Sequence, residues 1–383
     1  MRSSHISLKE AQGFREALEN PMQAYAQLQT DGGKPVIGYF TDLVPIELIH
    51  AAGGQPSRLF PSPKSDEPLD SLVQTFCCSY LRNFLSSTLE TELKKAFSGF
   101  VFSNNFCDSL TNVIDIFEHA FPDFPFLVLN QPVASTNANV ESFFRAEVQL
   151  LAERLAQITS HQPDDKSIQE SMKLYEGIRK FQSELEAAYY AHHAQVAFSD
   201  FAAVLAGKEL LPAEKYEEVL GRVLEEFQGI ENSNDTNRPS IIITGGMLHD
   251  LKIIDAIEES GISIVGELLL FGRKDYEMRF NYSKPPFDAL VSSYLGKVPA
   301  ATRYDLSRKT DRLLTLIKEK NAAGVIHLNW KFCDPDAFES VMIKNALEKE
   351  KTPFLMIETD PQRSNLEQIK TRCQAFCEIL EAK

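Results

Sequence analysis

Two cysteines occupy the same local setting in distant parts of this 383-residue chain. Cys333 closes the stretch "GVIHLNWKFC" and is followed by Asp-Pro; Cys107 closes "GFVFSNNFC" and is followed by Asp-Ser. Each stands where an apolar, strand-like run gives way to a helical pattern. In doubly wound sheets that edge is where ligands bind. A helix that begins there also offers backbone N–H groups, which stabilise a thiolate. Cys78, in "TFCCSYLRNFL", opens a third helical pattern whose apolar stripe is Leu81, Phe84, Leu85 and Leu89. Three thiolates at helix starts can converge on a soft metal centre. Spacing alone favours a plainer reading, in which they are small buried hydrophobes, the commonest fate of a free cysteine.

The remaining candidates are weaker. Cys373 and Cys377 fall on one helical face with Leu366, Ile369, Phe376 and Leu380, which reads as core. "TGG" at 244–246 follows a strand pattern and could open a helix near a phosphate. His192 and His193 are adjacent on a helix, so their side chains diverge and a two-His metal site is not expected. Walker, GxGxxG, HExxH and CxxC signatures are all absent.

The elements that must position these cysteines can be read from periodicity. Short apolar runs at 35–40, 99–102 and 126–129, then at 240–244, 263–270, 323–328 and 353–358, alternate with helical patterns. Such runs read as buried parallel strands in α/β units. Between Glu141 and Ile230 the pattern is helical almost throughout, rich in Ala, Glu, Leu and Gln. "VPIELIHAAGG" (44–54) reads as a proline-led helix with a glycine stop, and "ENSNDTNRP" (231–239) as a linker. The expected fold is α/β, with two doubly wound parallel-sheet domains joined by a helical segment. The expected divisions are 1–140, carrying two of the cysteines, 141–235, which is helical, and 236–383, carrying the third.

Composition argues against several function classes, though not against an anionic ligand held by a local basic patch. The net charge is −15, from 39 Lys plus Arg against 54 Asp plus Glu, which opposes nucleic-acid and anionic-membrane binding. The N-terminal stretch has no signal-peptide core, and no apolar run reaches the roughly 18 residues that span a bilayer. A cytoplasmic location is expected. Six cysteines in a reducing compartment point to packing, reactivity or metal binding in place of disulfides.

Taken together, "GYFTDLVPIELIHAAGGQP", "FCCSYLRNFL", "FSNNFCDSL", "WKFCDP" and "IETDPQRSNLEQIKTR" resemble the 2-hydroxyacyl-CoA dehydratase family, which also contains the ATP-dependent benzoyl-CoA reductase subunits. The likeness runs over roughly residues 30–380 and is strongest to the smaller, β-type dehydratase subunit. The resemblance reverses the plain reading of the cysteines. It implies that Cys78, Cys107 and Cys333 hold a [4Fe–4S] cluster with one iron site left open. Cys77 stands where a small residue is more usual, so either Cys77 or Cys78 can serve. The resemblance further implies an iron–sulfur subunit of an (R)-2-hydroxyacyl-CoA dehydratase, a hydro-lyase acting on an acyl-CoA substrate. Such a subunit relays one electron for ketyl-radical dehydration to the enoyl-CoA. It works with an α-type dehydratase subunit and a separate ATP-hydrolysing activator, which fits the missing P-loop. The alternatives are a benzoyl-CoA reductase-type subunit, a homodimeric double-cubane reductase, and a cluster-free scaffold paralogue.

Overall fold

The computed structural model describes residues 5–60, 69, 71–89, 92–134, 137–231, 238–248, 250–360 and 365–382. Its centre is two four-stranded, wholly parallel sheets. The first holds β1 (Val36–Tyr39), β2 (Gln55–Arg58), β3 (Gly99–Asn104) and β4 (Phe126–Asn130) in the order β2-β1-β3-β4. The second holds β5 (Ser240–Gly245), β6 (Ser263–Leu268), β7 (Gly324–Trp330) and β8 (Phe354–Thr359) in the order β6-β5-β7-β8. The two orders are the same, so the α/β doubly wound class expected from the sequence is the one observed. The central strands β1, β3, β5 and β7 are buried along almost their whole length, because helices cover both faces of a parallel sheet.

The seven strands expected from apolar runs are all present. β2 was not expected, and the reason is its composition. "QPSR" is polar, and its stability comes from a cover placed on the sheet edge. Ser57 Oγ donates to the Glu209 carbonyl at 2.6 Å, and the Arg58 N–H donates to Glu209 Oε2 at 2.8 Å. Pro56 is tolerated there because an edge strand has one unpaired side. The proline-led helix is Ile46–Ala51, and Gly53 adopts φ +77° just after it. Residues 232–237 of the expected linker, and residues 361–364 of the last motif, lie outside the described residues.

The region between the sheets is helical: Val140–Thr159, Asp165–His192, Phe198–Ala206 and Ala213–Gln228. The second of these begins with a reciprocal cap in which Asp164 and Ser167 each satisfy the other's backbone N–H. Its 28 residues span about 42 Å. That length lets it brace both sheets. Near its start Ser171 Oγ donates to the Glu47 carbonyl at 2.8 Å and Arg179 pairs with the Glu47 carboxylate. Near its end Tyr189 donates to the Ile264 carbonyl in β6 at 2.6 Å. The N-terminal helix Lys9–Glu19 lies on the same helical region, with Arg15 paired to Asp200 at 3.2 Å and to Asp255 at 2.6 Å.

Candidate functional site

The C-terminal ends of strands from both sheets open onto one cavity. Phe40 follows β1, Cys107 follows β3, Gly245 ends β5 and Gly246 follows it, Leu270 follows β6, Trp330 ends β7 and Cys333 lies three residues on; all line it. Cys78 lines it as well. The three cysteines picked out in the sequence therefore meet across the seam between the sheets. Each precedes a helix: Ser79–Leu89, Asp108–Ala120 and Asp334–Lys349.

Local backbone geometry aims these residues. The Ser79 N–H donates to the Lys331 carbonyl at 3.1 Å, which ties the loop of Cys78 to the loop of Cys333. The Tyr80 ring meets the Trp330 ring edge-on at 5.3 Å, and Trp330 Nε1 donates to the Met247 carbonyl at 3.0 Å. A left-handed residue precedes each strand-end cysteine, Asn105 at φ +60° two positions before Cys107 and Phe332 at φ +63° directly before Cys333. Asn105 fits that conformation, and Asn104 Oδ1 accepts its N–H at 3.0 Å. Phe332 has no side-chain carbonyl to do the same, and the turn is closed by the Cys333 N–H donating to the Trp330 carbonyl at 2.9 Å.

The thiols are not equivalent. Cys78 and Cys333 form a hydrogen-bonded pair. Within it Cys78 is shifted down, first by Cys333 and then by the N–H groups of Leu81 and Tyr80, while Cys333 is shifted well up by Cys78 and by burial. Burial pushes Cys107 up to about 12, against the opposing pull of the Leu110 N–H. Cys77 does not line the cavity; its thiol interacts with Ser109 and is raised mainly by burial. Cys373 and Cys377 are buried on helix Leu366–Glu381, away from the cavity, as the helical stripe predicts. His192 and His193 turn to different partners, Gln195 and Ser263.

The "TGG" segment does not open a helix. The next helix is Leu251–Glu259, capped by Asp250. The two glycines serve close packing in the cavity wall. A Cβ on Gly245, at φ +117°, would lie 2.1 Å from the Leu328 carbonyl oxygen; one on Gly246 would lie 2.5 Å from Asp336 Oδ2.

Sequence reasoning missed the polar part of this site. Lys274, Thr302, Lys309 and Asp336 all line the cavity. Burial, with Glu339 nearby, pushes the Asp336 carboxyl up to about 7, and Lys309 and Lys274 pull it back down. Asp336 lies three residues beyond Cys333 in "CDPD", so its helical proximity was available as a signal. Lys274 and Lys309 sit in the polar stretches "RKDY" and "SRKTDR", where nothing distinguishes a buried lysine from a solvated one. Beside the cavity His327, Asp336 and Glu339, all buried, bring possible ligand atoms within 4.8 Å of one another. Lys309 Nζ already sits 2.5 Å from Glu339 Oε2 as a counter-cation.

Among the described residues no helix is long and apolar enough to cross a membrane. The family model for the 2-hydroxyglutaryl-CoA dehydratase D-component matches residues 43–380. The chain is 25% identical over 369 residues to the (R)-phenyllactyl-CoA dehydratase beta subunit of Clostridium sporogenes, covering 96% of this chain and 97% of that protein. It is 23% identical to the beta subunit of the (R)-2-hydroxyglutaryl-CoA dehydratase of Acidaminococcus fermentans, covering 96% and 98%. It is also 23% identical to a benzoyl-CoA reductase subunit of Thauera aromatica, covering 92% of each. With a match over nearly its whole length, the chain belongs to the 2-hydroxyglutaryl-CoA dehydratase D-component family.

Proposed function

We propose that this chain is the iron–sulfur, β-type subunit of a 2-hydroxyacyl-CoA dehydratase, with Cys78, Cys107 and Cys333 as ligands of a [4Fe–4S] cluster. The observation that carries the reading is the meeting of these three cysteines on one largely apolar cavity wall. Soft sulfur donors of this number suit iron and leave one metal site open. Cys78 is the ligand in preference to Cys77, because Cys78 lines the cavity and Cys77 faces Ser109. When bound, the cluster supplies storage for a single electron.

The chain's own residues prepare the site. Helix N-termini at Cys78, Cys107 and Cys333 favour the thiolates that burial alone opposes. The rings of Phe40, Phe106 and Trp330 and the side chains of Leu110 and Leu270 give the cavity an apolar lining. The protein frame, braced by helix Asp165–His192, fixes the separation of the two sheets and so of the ligands. In this reading an ATP-hydrolysing activator delivers the electron, and an α-type subunit holds the acyl-CoA and carries out the elimination. The similarity to the benzoyl-CoA reductase of Thauera aromatica supports a second reading, in which the same relay serves reduction of an aromatic ring.

The test is anaerobic reconstitution of the chain alone, then with activator, then with activator and α-type subunit, each with ATP and a 2-hydroxyacyl-CoA. Enoyl-CoA is expected only from the complete mixture. Turnover with activator alone would sink the relay reading, since this chain would then hold substrate itself. Turnover of benzoyl-CoA in its place would favour the second reading.

A further inference from the structure

The cavity wall carries a buried cation without a matching hydrogen bond. Lys274, in helix Arg273–Tyr276 just after β6, is fully buried. Its ammonium lies 3.6 Å from Asp42 Oδ2, close enough for charge attraction and too far for a hydrogen bond. Among the described residues neither Lys274 Nζ nor either Asp42 carboxylate oxygen has a hydrogen-bond partner. Arg303 is buried too, and its Nε and Nη1 are likewise unpartnered among those residues. Lys309, the other lysine on the wall, differs: Glu339 binds it at 2.5 Å and cancels its charge locally.

A desolvated ammonium without hydrogen bonds is costly, by several kcal/mol in effective terms. Burial accordingly pulls Lys274 down to about 8. Besides Asp42, this group faces an apolar cavity, where a fixed cation acts on any negative charge placed inside it. Three thiolates around an iron–sulfur core carry net negative charge, and reduction adds one more. Electrostatics in a low-dielectric site makes a nearby fixed cation stabilise the reduced state more than the oxidised one.

We propose that Lys274 is the built-in counter-charge of the cluster and raises its reduction potential. The inference rests on the assignment of the three cysteines as cluster ligands and deepens it. Lys274 acts through the field it places across the cavity, so it is a positioning residue and not a ligand. Asp42, 3.6 Å away, offsets part of that field, and Glu339, at 2.5 Å and hydrogen-bonded, offsets more of the field of Lys309.

The experiment is a dye-mediated redox titration of anaerobically reconstituted protein, followed by electron paramagnetic resonance. Lys274→Met should keep wild-type iron and show a midpoint more negative by at least about 59 mV, a tenfold fall in the reduced-to-oxidised ratio at fixed potential. Lys274→Arg, which keeps the charge, should restore most of the loss. Asp42→Asn should move the midpoint the other way, and it decides the matter if Lys274→Met does not hold its iron. Unchanged midpoints in iron-replete Lys274→Met or Asp42→Asn protein would overturn the counter-charge. Absence of iron from the wild type would instead remove the cysteine assignment, and the counter-charge with it.

Discussion

At the scale of single residues, buried ionisable groups set testable behaviour away from the cavity too. Glu258, in helix Leu251–Glu259, accepts the Phe198 N–H at 2.9 Å, and burial raises its carboxyl from the ordinary 4.5 to about 8. The folded chain therefore keeps this proton where the unfolded chain has lost it. That preference is fully present below about pH 4.5 and is lost as pH rises through about 8, so stability falls across the window. Glu258→Gln keeps an acceptor for Phe198 and cannot ionise. At pH 8 it should be more stable than wild type by roughly 1–3 kcal/mol, with the difference shrinking towards pH 5. Denaturation midpoints measured across this range check it, and two parallel curves would contradict it. That Cys78, Cys107 and Cys333 share one setting was legible, because a thiol at a strand end or helix start is a distinctive local pattern, but spacing alone read them as core; the structure adds that Cys78 lines the cavity and Cys77 does not. Lys274 was not legible. Its burial comes from the meeting of two sheets, which no local pattern of charged residues records.

At the scale of elements, the strands were legible where they are apolar and central, and illegible where a polar strand is covered by distant chain. β2 is the example: "QPSR" is a strand because Glu209, far along the sequence, caps its polar groups. The "TGG" segment is the converse case. Its glycines could have opened a helix near a phosphate, and they are instead what allows β5 to end against β7. Gly245 combines φ +117° with a missing Cβ that would strike the Leu328 carbonyl. Gly245→Ala should therefore cost about 2–4 kcal/mol, the sum of backbone strain and overpacking. Urea unfolding of the protein without iron measures this directly, and a loss below about 0.5 kcal/mol would show that the strand ends can part without penalty.

At the scale of the whole molecule, one architecture is used twice and the site lies where the two copies face each other. Two sheets of the same strand order turn their C-terminal edges to a shared seam, and helix Asp165–His192 reaches across to both. Neither half alone could gather the three cysteines, because Cys78 and Cys107 belong to the chain around the first sheet and Cys333 follows β7 of the second. The central claim is that this seam holds one cluster on those three cysteines. Iron and acid-labile sulfide, counted per chain after anaerobic reconstitution, test it most directly. About four irons and four sulfides per chain are expected for the wild type. Cys77→Ala and Cys377→Ala should match it, and Cys78→Ala, Cys107→Ala and Cys333→Ala should each fall to a small fraction. Fewer than about two irons per wild-type chain, or equal iron loss in Cys377→Ala and Cys333→Ala, would contradict the account.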